Sequence, residues 1–426
     1  MKKIARTVSR TAAGAVLALG AAGCGDDFLT VTNPNVIDAA TVDPTASGVT
    51  LALSAQQNFV DMFGLLAMYG GWFSGETNVS DTFPTRNEFG IRSITDLNGS
   101  LNSDVWQPLS RTIASAKQVL ELTLPTPTTN ISIARAATFR GFAMLQMASD
   151  FCTGTFSSGP ELTTAQMLDS ASVWLSKGIE VGRANASAEG IALANAALVG
   201  RARVKLQKGD NTGAAADAAA VPAGFEYLLR YTDDLANRGR LSNDLYFFSF
   251  DRGSISVAPW FRQADPRVTY RVQGGNPAPT ANPQDAVPGG FHQQTKFFAY
   301  NASIRLASKL EADYIVAEAG NSVDAQVALI NARRAANNRL AYDGAMDAVS
   351  VKRELFNQRA LDFYLEGKRV ADMRRSPASV TGTVTAAGAP YFKPGYGNTG
   401  TDTCYPIPRA ERDNNPNMTG ANGSAK

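Results

Sequence analysis

The sequence predicts a mainly α-helical protein in which helix pairs alternate with long irregular segments and a few short strands. Apolar residues recur at intervals of three and four over much of the chain, the spacing that places them on one side of a helix. Two alanine-rich stretches, one mid-chain and one nearer the end, have the pattern of paired helices. Segments rich in Gly, Pro, Asn and aromatic residues separate these parts and show no helical period.

The predicted helices follow one another along the chain with turn residues between them. Gly70-Gly71 is expected to end the first helix, and the prolines of "LPTPTTN" to end the second, because proline lacks the backbone N–H that a helix needs. The predicted helical ranges are 46–69, 104–122, 131–151, 163–186, 195–222 (a pair), 303–335 (a second pair) and 351–366. We expect a long loop over 72–98, and short strands with long loops over 224–300.

The two alanine-rich stretches resemble tetratricopeptide-type helix pairs, with an unrelated helical hairpin as the alternative for the first. Such a pair cannot bury its apolar face alone, so neighbouring helices must stack on it. In the first pair small residues stand where close approach and a turn are needed: Ala202, Gly209, Ala214 and Ala218. In the second pair one apolar stripe comprises Ile304, Ala307, Leu310, Tyr314 and Ala317, and the facing stripe Ala325, Ala328, Leu329, Ala332 and Ala335.

The N-terminus predicts an exported lipoprotein. A basic start precedes a short apolar stretch, Thr11 to Ala22, which is too short to span a bilayer. Ala21-Ala22-Gly23-Cys24 resembles a bacterial lipobox, with Ala21 in place of the usual Leu. We therefore expect a signal peptide at 1–23, a lipid on Cys24 and a lipid-anchored tether at 24–45. An ordinary signal peptide with a chance cysteine is the alternative.

The remaining 46–426 are expected to form a single domain. Its helical scaffold would comprise 46–223 and 303–367, with an irregular insertion at 224–302 and C-terminal loops at 368–426. A long irregular segment inside a compact domain is usually functional or mobile. The insertion is therefore the first place to look for a ligand site.

Composition argues against several classes of function. The 426 residues carry a formal net charge of +2, which gives no argument for a nucleic-acid partner. The single histidine, His292, is too little for a histidine-dependent triad or metal site, and we expect it on a loop or strand with a hydrogen bond. No metal, no cofactor and no enzymatic activity are expected. Cys152 and Cys404 form either a disulfide or two buried thiols.

Charged residues recur at threes in "LEGKRVADMRR". If one helix continues through Glu366, Arg369, Asp372 and Arg375, ion pairs can form along one face. We favour a structural ion-pair network over a ligand site. Asp362 and Glu366 are neighbours on one helix face and fit poorly the two carboxylates that must face each other across a sugar bond in a glycosidase.

Five motifs in order resemble those of the SusD/RagB family of outer-membrane nutrient-binding lipoproteins. They are the lipobox with "DDFLTVTNPN", "ARAATFRGFAMLQMASDF", "IRLASKLEADYIVAEAG" with "AQVALINARRAANN", "QRALDFYLEGKRVADMRR" and "CYPIPRAERDNNPNM". The resemblance implies a SusD-like fold and a hinged lid on a TonB-dependent, SusC-like β-barrel transporter. It also implies an oligosaccharide or peptide ligand and an outer-membrane, outward-facing location. A tetratricopeptide adaptor lipoprotein without a nutrient ligand is the alternative, and a secreted hydrolase is disfavoured.

Two aromatic segments are the predicted ligand site. Sugar recognition needs flat aromatic faces and a few well-placed polar groups. The segment after the first helix supplies Trp72, Phe73, Asn78, Asp81 and Arg86, and "PWFRQADPRVTY" supplies Trp260, Arg262 and Tyr270. We expect the two segments to meet over the ligand, with burial of Trp72 and Trp260 in local cores as the alternative. Trp106 and Trp174 are expected in the core.

Overall fold

Helices dominate residues 43–418, which are the residues that the computed structural model of the protein describes. Cys24, the signal peptide and nearly all of the tether lie outside these residues. The helices are α1 Pro44–Phe73, α2 Pro84–Gly90, α3 Gln107–Leu120, α4 Ile131–Asp150, α5 Thr164–Asn185, α6 Ala188–Gln207, α7 Asn211–Ala219, α8 Arg238–Leu241, α9 Asp244–Tyr246, α10 Lys309–Gly320, α11 Val323–Ala336, α12 Ala348–Asp362, α13 Arg369–Arg375 and α14 Arg409–Asn414. The prediction of a mainly α fold is confirmed.

Short polar residues fix where the helices of the scaffold begin. The Asn130 side chain accepts a hydrogen bond from the backbone of α4, and Thr163 and Gln166 form a reciprocal capping box on α5. Ser187, Asp210, Ser308, Ser322 and Asp347 cap α6, α7, α10, α11 and α12 in the same way. Each cap satisfies a backbone N–H that has no partner within its helix.

The core is built around α4, in which every residue from Ser132 to Asp150 is buried. Its neighbours approach closely because small residues face each other. A Cβ added at Gly178 of α5 would lie 2.5 Å from Thr138 Oγ1, and one at Gly141 would lie 2.7 Å from Leu175 Cγ. Large side chains would keep these helices apart, so the glycines set the spacing of the scaffold.

Both predicted helix pairs are present. In the first pair, α6 and α7, Gly209 has the positive φ of +79° that its turn requires, and Ala202, Ala214 and Ala218 are fully buried. The second pair is α10 and α11. Its predicted start at Ser303 is wrong, because Ile304–Ser308 is a strand whose side chains alternate in burial at its beginning, and the helix starts only after the Ser308 cap.

Eight short strands accompany the helices within the described residues. Strands β1 Thr77–Val79, β5 Ile255–Val257, β7 His292–Gln294 and β6 Tyr270–Val272 form one sheet in the order β1-β5-β7-β6. The pairs β2 Thr153–Gly154 with β3 Leu162–Thr163, and β4 Glu226–Leu229 with β8 Ile304–Ser308, are two-stranded. His292 lies on β7 and its Nδ1 is 2.8 Å from Gly290 O, as the sequence predicted.

The predicted loop over 72–98 is wrong in part. Helix α1 continues through Gly70-Gly71 to Phe73, and β1 and α2 follow within the supposed loop. Gly71 does not end the helix, because it lets the helix pass close to another part of the fold. A Cβ at Gly71 would lie 2.6 Å from a methyl carbon of Leu365.

The charged stretch after α12 is interrupted. The chain leaves the helix at Phe363, where Leu365 and Gly367 adopt φ of +55° and +66°, and resumes as α13. Glu366 pairs with Lys296, Arg305 and Lys368, whereas Asp372 pairs with Arg359 and Arg375. The interpretation as a structural ion-pair network is confirmed, although one continuous helix does not carry it.

Cys152 and Cys404 form a disulfide with their Cα atoms 5.1 Å apart, which ties the end of α4 to the C-terminal loops. From Gly48 onwards the described residues form one compact unit. The predicted boundary of the domain at residue 46 stays a prediction. Within residues 43–418, none of the helices is both long and apolar enough to cross a membrane.

Candidate ligand-binding site

The two aromatic segments singled out in the sequence lie side by side. Strand β1 pairs antiparallel with β5, with Thr77 opposite Val257 and Val79 opposite Ile255. The pairing is extended by backbone hydrogen bonds at both ends, from Ala258 N to Glu76 O at 3.1 Å and from Ser80 N to Ser254 O at 3.0 Å. The sheet therefore fixes the end of α1 next to the insertion.

A cavity of about 220 Å³ opens where α1 ends, beside this sheet. Three parts of the chain enclose it: the segment from α1 to α2, the turns of the insertion, and a loop near the C-terminus. The lining residues are Trp72, Phe73, Gly75, Thr77, Asn78, Gly90, Arg92, Pro259, Pro288, Val384, Thr385, Pro390, Tyr391 and Phe392. Four aromatic side chains thus surround a space with room for a small group.

The base of the cavity is buried and carries polar atoms without partners. Trp72 and Thr77 are each 1% exposed, and Asn78 is half-buried on β1. Trp72 Nε1, Thr77 Oγ1 and Asn78 Nδ2 have no hydrogen-bond partner among the described residues. A buried polar atom left unpaired costs about 1–3 kcal/mol, so polar groups collected around one cavity indicate a place where binding can recover free energy.

The opposite wall is a loop held in place by its own hydrogen bonds. Tyr391 N donates to Gly397 O at 2.9 Å, and Tyr391 Oη donates to Asn87 Oδ1 at 3.2 Å. The next ring, Phe392, lies 4.3 Å from that of Tyr391. Buried Lys393 then forms an ion pair with Asp285 of the insertion at 3.2 Å. The aromatic wall is therefore fixed to both other walls.

Arg92 supplies the charge of the cavity. Its backbone has a φ of +51°, which few residues other than glycine adopt, and its Nη2 donates to Thr385 O at 2.6 Å. Burial lowers the pKa of Arg92, while the charge of Asp402 acts in the opposite direction. Arginine stays protonated throughout the physiological range, so the cavity wall is cationic.

Three of the eight predicted ligand residues line the cavity: Trp72, Phe73 and Asn78. Trp72 and Phe73 are nevertheless core residues. Their rings pack edge-on against Tyr69 at 5.1 Å and Tyr405 at 5.0 Å. The expectation that Trp72 offers an open flat face is wrong, because α1 continues to Phe73 and turns both rings inward.

Asp81 and Arg86 support the site from outside. Asp81 is fully buried and pairs with Arg86 Nη1 at 2.7 Å, and its carboxylate also accepts from Phe83 N at 3.1 Å. The Arg86 guanidinium lies over the rings of Phe83 and Phe248. These contacts fix the turn between β1 and α2, and neither side chain lines the cavity.

The residues from the insertion also position the walls. Arg262 donates to Val257 O at 2.9 Å and to Pro288 O at 2.6 Å, and so holds a lining proline in place. Tyr270 Oη donates to Arg262 O at 3.2 Å. Trp260 is half-buried beside the lining residue Pro259. The structure brings these residues near the cavity without placing them on its surface.

The sequence analysis missed the third wall, residues 384–392, and Arg92. The sequence places this stretch in the C-terminal loops and indicates no role for it. A signal was present in "PYFKPGYG", where three aromatic residues, Tyr391, Phe392 and Tyr396, stand among turn-forming residues. Aromatic residues in such a setting have no helix stripe to pack in, and a cavity wall is one reason to keep them there.

Two larger grooves lie elsewhere on the described residues. One of about 660 Å³ lies between α1 and β4, and one of about 900 Å³ lies between α5 and the loop after α3. Each has one aromatic residue in its lining, Tyr227 and Trp174 respectively, and neither includes a predicted ligand residue. The smaller cavity is the better candidate because aromatic rings and unpaired polar groups meet there.

The fold is that of solved SusD-like proteins. It matches a SusD-like carbohydrate binding protein from Bacteroides vulgatus with a TM-score of 0.64 and 15% sequence identity, covering 88% of this chain and 97% of that one. A putative sugar binding protein from Bacteroides vulgatus matches with a TM-score of 0.64 and 16% identity, over 89% and 99% of the two chains. A laminarin binding SusD-like protein matches with a TM-score of 0.63 and 14% identity, over 88% and 99%.

The sequence of the C-terminal part matches a family model. The model of the SusD family matches residues 304–423, which include the second helix pair and the ion-pair network. No curated protein matches the sequence. The resemblance stated from the five motifs is confirmed: residues 304–423 match the model of the SusD family, and the fold of the described residues is that of solved SusD-like proteins.

Proposed function

We propose that this protein binds a glycan at the cell surface and passes it to an outer-membrane transporter. The observation that carries the proposal is the cavity beside β1, where the aromatic wall of Tyr391 and Phe392 lies opposite a base with unpaired polar side chains. Aromatic rings cover the apolar faces of a sugar, and hydrogen-bonding groups select its hydroxyls. The role is binding rather than catalysis.

The size of the cavity fits part of a glycan rather than a whole one. Pockets for drug-sized ligands measure about 300–1,000 Å³, whereas this cavity measures about 220 Å³. One sugar unit fills such a space, and the rest of the chain extends past the exposed rim at Pro259, Thr385 and Pro390. A peptide ligand would make less use of the aromatic walls.

The names of the structural neighbours support a sugar ligand. Two of them are described as carbohydrate or sugar binding and one as laminarin binding. Identities of 14–16% are too low to transfer the particular glycan. Laminarin is accordingly one glycan to test among many.

The anchor and the transporter partner rest on the N-terminal sequence and the family resemblance. A lipid on Cys24 would hold the protein at the outer membrane, and several acyl chains on one residue would anchor it stably. The helix pairs would then contact a SusC-like, TonB-dependent barrel, for which the protein acts as a lid. An adaptor without a nutrient ligand would need only the helical surface, and the cavity favours the nutrient-binding function.

Glycan-array binding tests the ligand and the place where it binds. The wild-type protein is compared with Thr385→Trp, which places a large ring at the exposed rim, and with Thr50→Trp on the exposed face of α1 as the matched control. We expect the wild type and the control to bind the same glycans and Thr385→Trp to bind none of them. Binding that survives in Thr385→Trp, with an unchanged melting temperature, would exclude this cavity.

Co-purification tests the partner. The tagged full-length protein and its Cys24→Ala variant are isolated from outer membranes in mild detergent. We expect a β-barrel transporter in equal amount with the wild type, and loss of both membrane attachment and barrel from the variant. Recovery of periplasmic assembly proteins in place of a barrel would support the adaptor alternative.

A further inference from the structure

We infer that the cavity selects an acidic sugar, a uronate, as the unit of the glycan that enters it. The inference rests on the proposed function and narrows its ligand class. It follows from the charge of the lining, the surplus of hydrogen-bond donors and the size of the space.

The lining carries one charged side chain, that of Arg92. No aspartate or glutamate is among the residues that surround the cavity. Sites for neutral sugars use carboxylates and amide oxygens to accept hydrogen bonds from hydroxyl groups, since each hydroxyl has a proton to donate. The side-chain acceptors that remain in the lining are the amide oxygen of Asn78 and the hydroxyl oxygens of Thr77, Thr385 and Tyr391.

Two hydrogen-bond donors at the base of the cavity, in contrast, lack acceptors within residues 43–418. Trp72 Nε1 can only donate, Asn78 Nδ2 can only donate, and both lack an acceptor among the described residues. Both atoms are covered in this structure, so a ligand can accept hydrogen bonds from them only if the side chains around them shift. A carboxylate accepts several hydrogen bonds at once, whereas a hydroxyl offers one oxygen and also brings a proton. Donors without acceptors therefore favour an anionic group.

Arg92 retains the capacity to bind an anion. It forms no ion pair within 4.0 Å with any carboxylate of residues 43–418, although Asp402 is near enough for its charge to be felt. One Asp402 oxygen already accepts from Ile94 N at 2.8 Å. The guanidinium uses one nitrogen for Thr385 O, and its other donors remain for a ligand carboxylate.

The test compares uronates with their neutral parents by ligand-observed NMR titration. Glucuronate is compared with glucose, galacturonate with galactose, and mannuronate with mannose. For the wild type we expect at least one uronate to bind about tenfold more tightly than its parent, the gain expected from one charge-assisted contact.

The variant Asn78→Asp tests the preference for an anionic sugar by changing the cavity, because it replaces an unpaired donor by a negative charge. Binding of the preferred uronate should fall by about tenfold or more, and binding of the neutral parent should change by less than about threefold. The control Asn211→Asp makes the same change of net charge on the exposed start of α7, which lines none of the cavity. It should leave both affinities unchanged.

The outcomes separate the inference from the function beneath it. If array glycans bind in the cavity but no uronate binds more tightly than its neutral parent, the inference is wrong and the glycan-binding function stands. Equal losses of uronate binding in Asn78→Asp and Asn211→Asp would also overturn it, since net charge alone would then be the cause. If neither array glycans nor any of the monosaccharides bind, the proposed function itself fails.

Discussion

At the residue scale, buried carboxyl groups differ in their effect on stability: one stabilises the folded protein when it is ionised, and another destabilises it. Glu366 is 3% exposed and lies 2.8 Å from Lys296 Nζ and 2.9 Å from Arg305 Nη2. These cations lower the pKa of Glu366 to about 2 against the opposing effect of burial. Because the folded-state pKa is depressed, this contribution is present above about pH 4.5 and is lost as the pH falls toward 2.

Replacing Glu366 by glutamine should be costly. The variant leaves buried cations without their partner, which typically destabilises a protein by about 3–5 kcal/mol. Glu226→Gln is the matched control, since Glu226 pairs with the same Arg305 at 3.3 Å but is half exposed, and should cost about 1 kcal/mol or less. Urea unfolding at pH 7 measures both, and equal costs would contradict the structural role assigned to Glu366.

Asp150 is a buried carboxylate whose ionised form destabilises the folded protein. It ends α4, where the helix dipole disfavours negative charge, and burial raises its pKa to about 7 despite a hydrogen bond from Gln146 and the charge of Arg374. Between about pH 4 and pH 7 the unfolded chain loses this proton while the folded protein keeps it. The stability contributed by Asp150 is therefore full at low pH and is lost as the pH rises through this window.

Asp150→Asn should remove that pH dependence. The variant is expected to match the wild type near pH 4 and to be more stable by roughly 2–4 kcal/mol at pH 8, because the asparagine cannot ionise. Asp169→Asn, at an exposed position on α5, should keep the wild-type profile. Melting curves from pH 4 to pH 8 decide the question, and parallel profiles for the wild type and Asp150→Asn would refute the assignment.

At the scale of elements, helix positions could be predicted where local signals agree. Helix α5 lies within one residue of its predicted range, because a capping box begins it and turn residues follow it. The errors occur where tertiary contacts decide. Gly71 lies inside α1 because close packing favours glycine there, and the first residues of the second helix pair form β8 because β4 supplies a partner strand.

The break between α12 and α13 places charged side chains on two elements, and Gly367 allows it. Gly367 has a φ of +66°, and an added Cβ would lie 3.2 Å from the ring of core residue Phe63. Gly382 has a comparable φ of +85° with nothing near its added Cβ. Gly382→Ala should therefore cost about 1–2 kcal/mol from backbone strain alone, and Gly367→Ala at least about 1 kcal/mol more from the contact. Chemical unfolding measures both variants. Equal losses of unfolding free energy would contradict this expectation, because they would show that the Phe63 ring moves aside without cost.

At the scale of the whole molecule, the candidate site joins three distant parts of the chain. The pairing of the first two could be predicted in outline, because both carried aromatic residues outside any helix stripe. The third part, residues 384–392, could not be placed from sequence alone. Its position depends on contacts such as Tyr391 with Asn87 and Arg92 with Thr385, each about 300 residues apart in the chain. The disulfide between Cys152 and Cys404 holds the following loops to the scaffold.

The large separations in sequence also explain why the individual ligand residues were harder to predict than the region in which they lie. Of the residues chosen from sequence, those that line the cavity lie on α1 and β1, whereas Asp81, Arg86 and Arg262 hold its walls. The type of side chain was enough to predict which residues lie near the site. Only the packing of the chain shows which of them line the cavity and which hold its walls in place.

A crystal structure of the protein with the glycan that binds most tightly on the array tests the central claim most directly. We expect a single sugar ring in the cavity, between the wall of Tyr391 and Phe392 and the base at Trp72, with the rest of the glycan leaving past Thr385. A glycan bound in the groove between α1 and β4, or on the helix pairs, with this cavity empty would contradict the account.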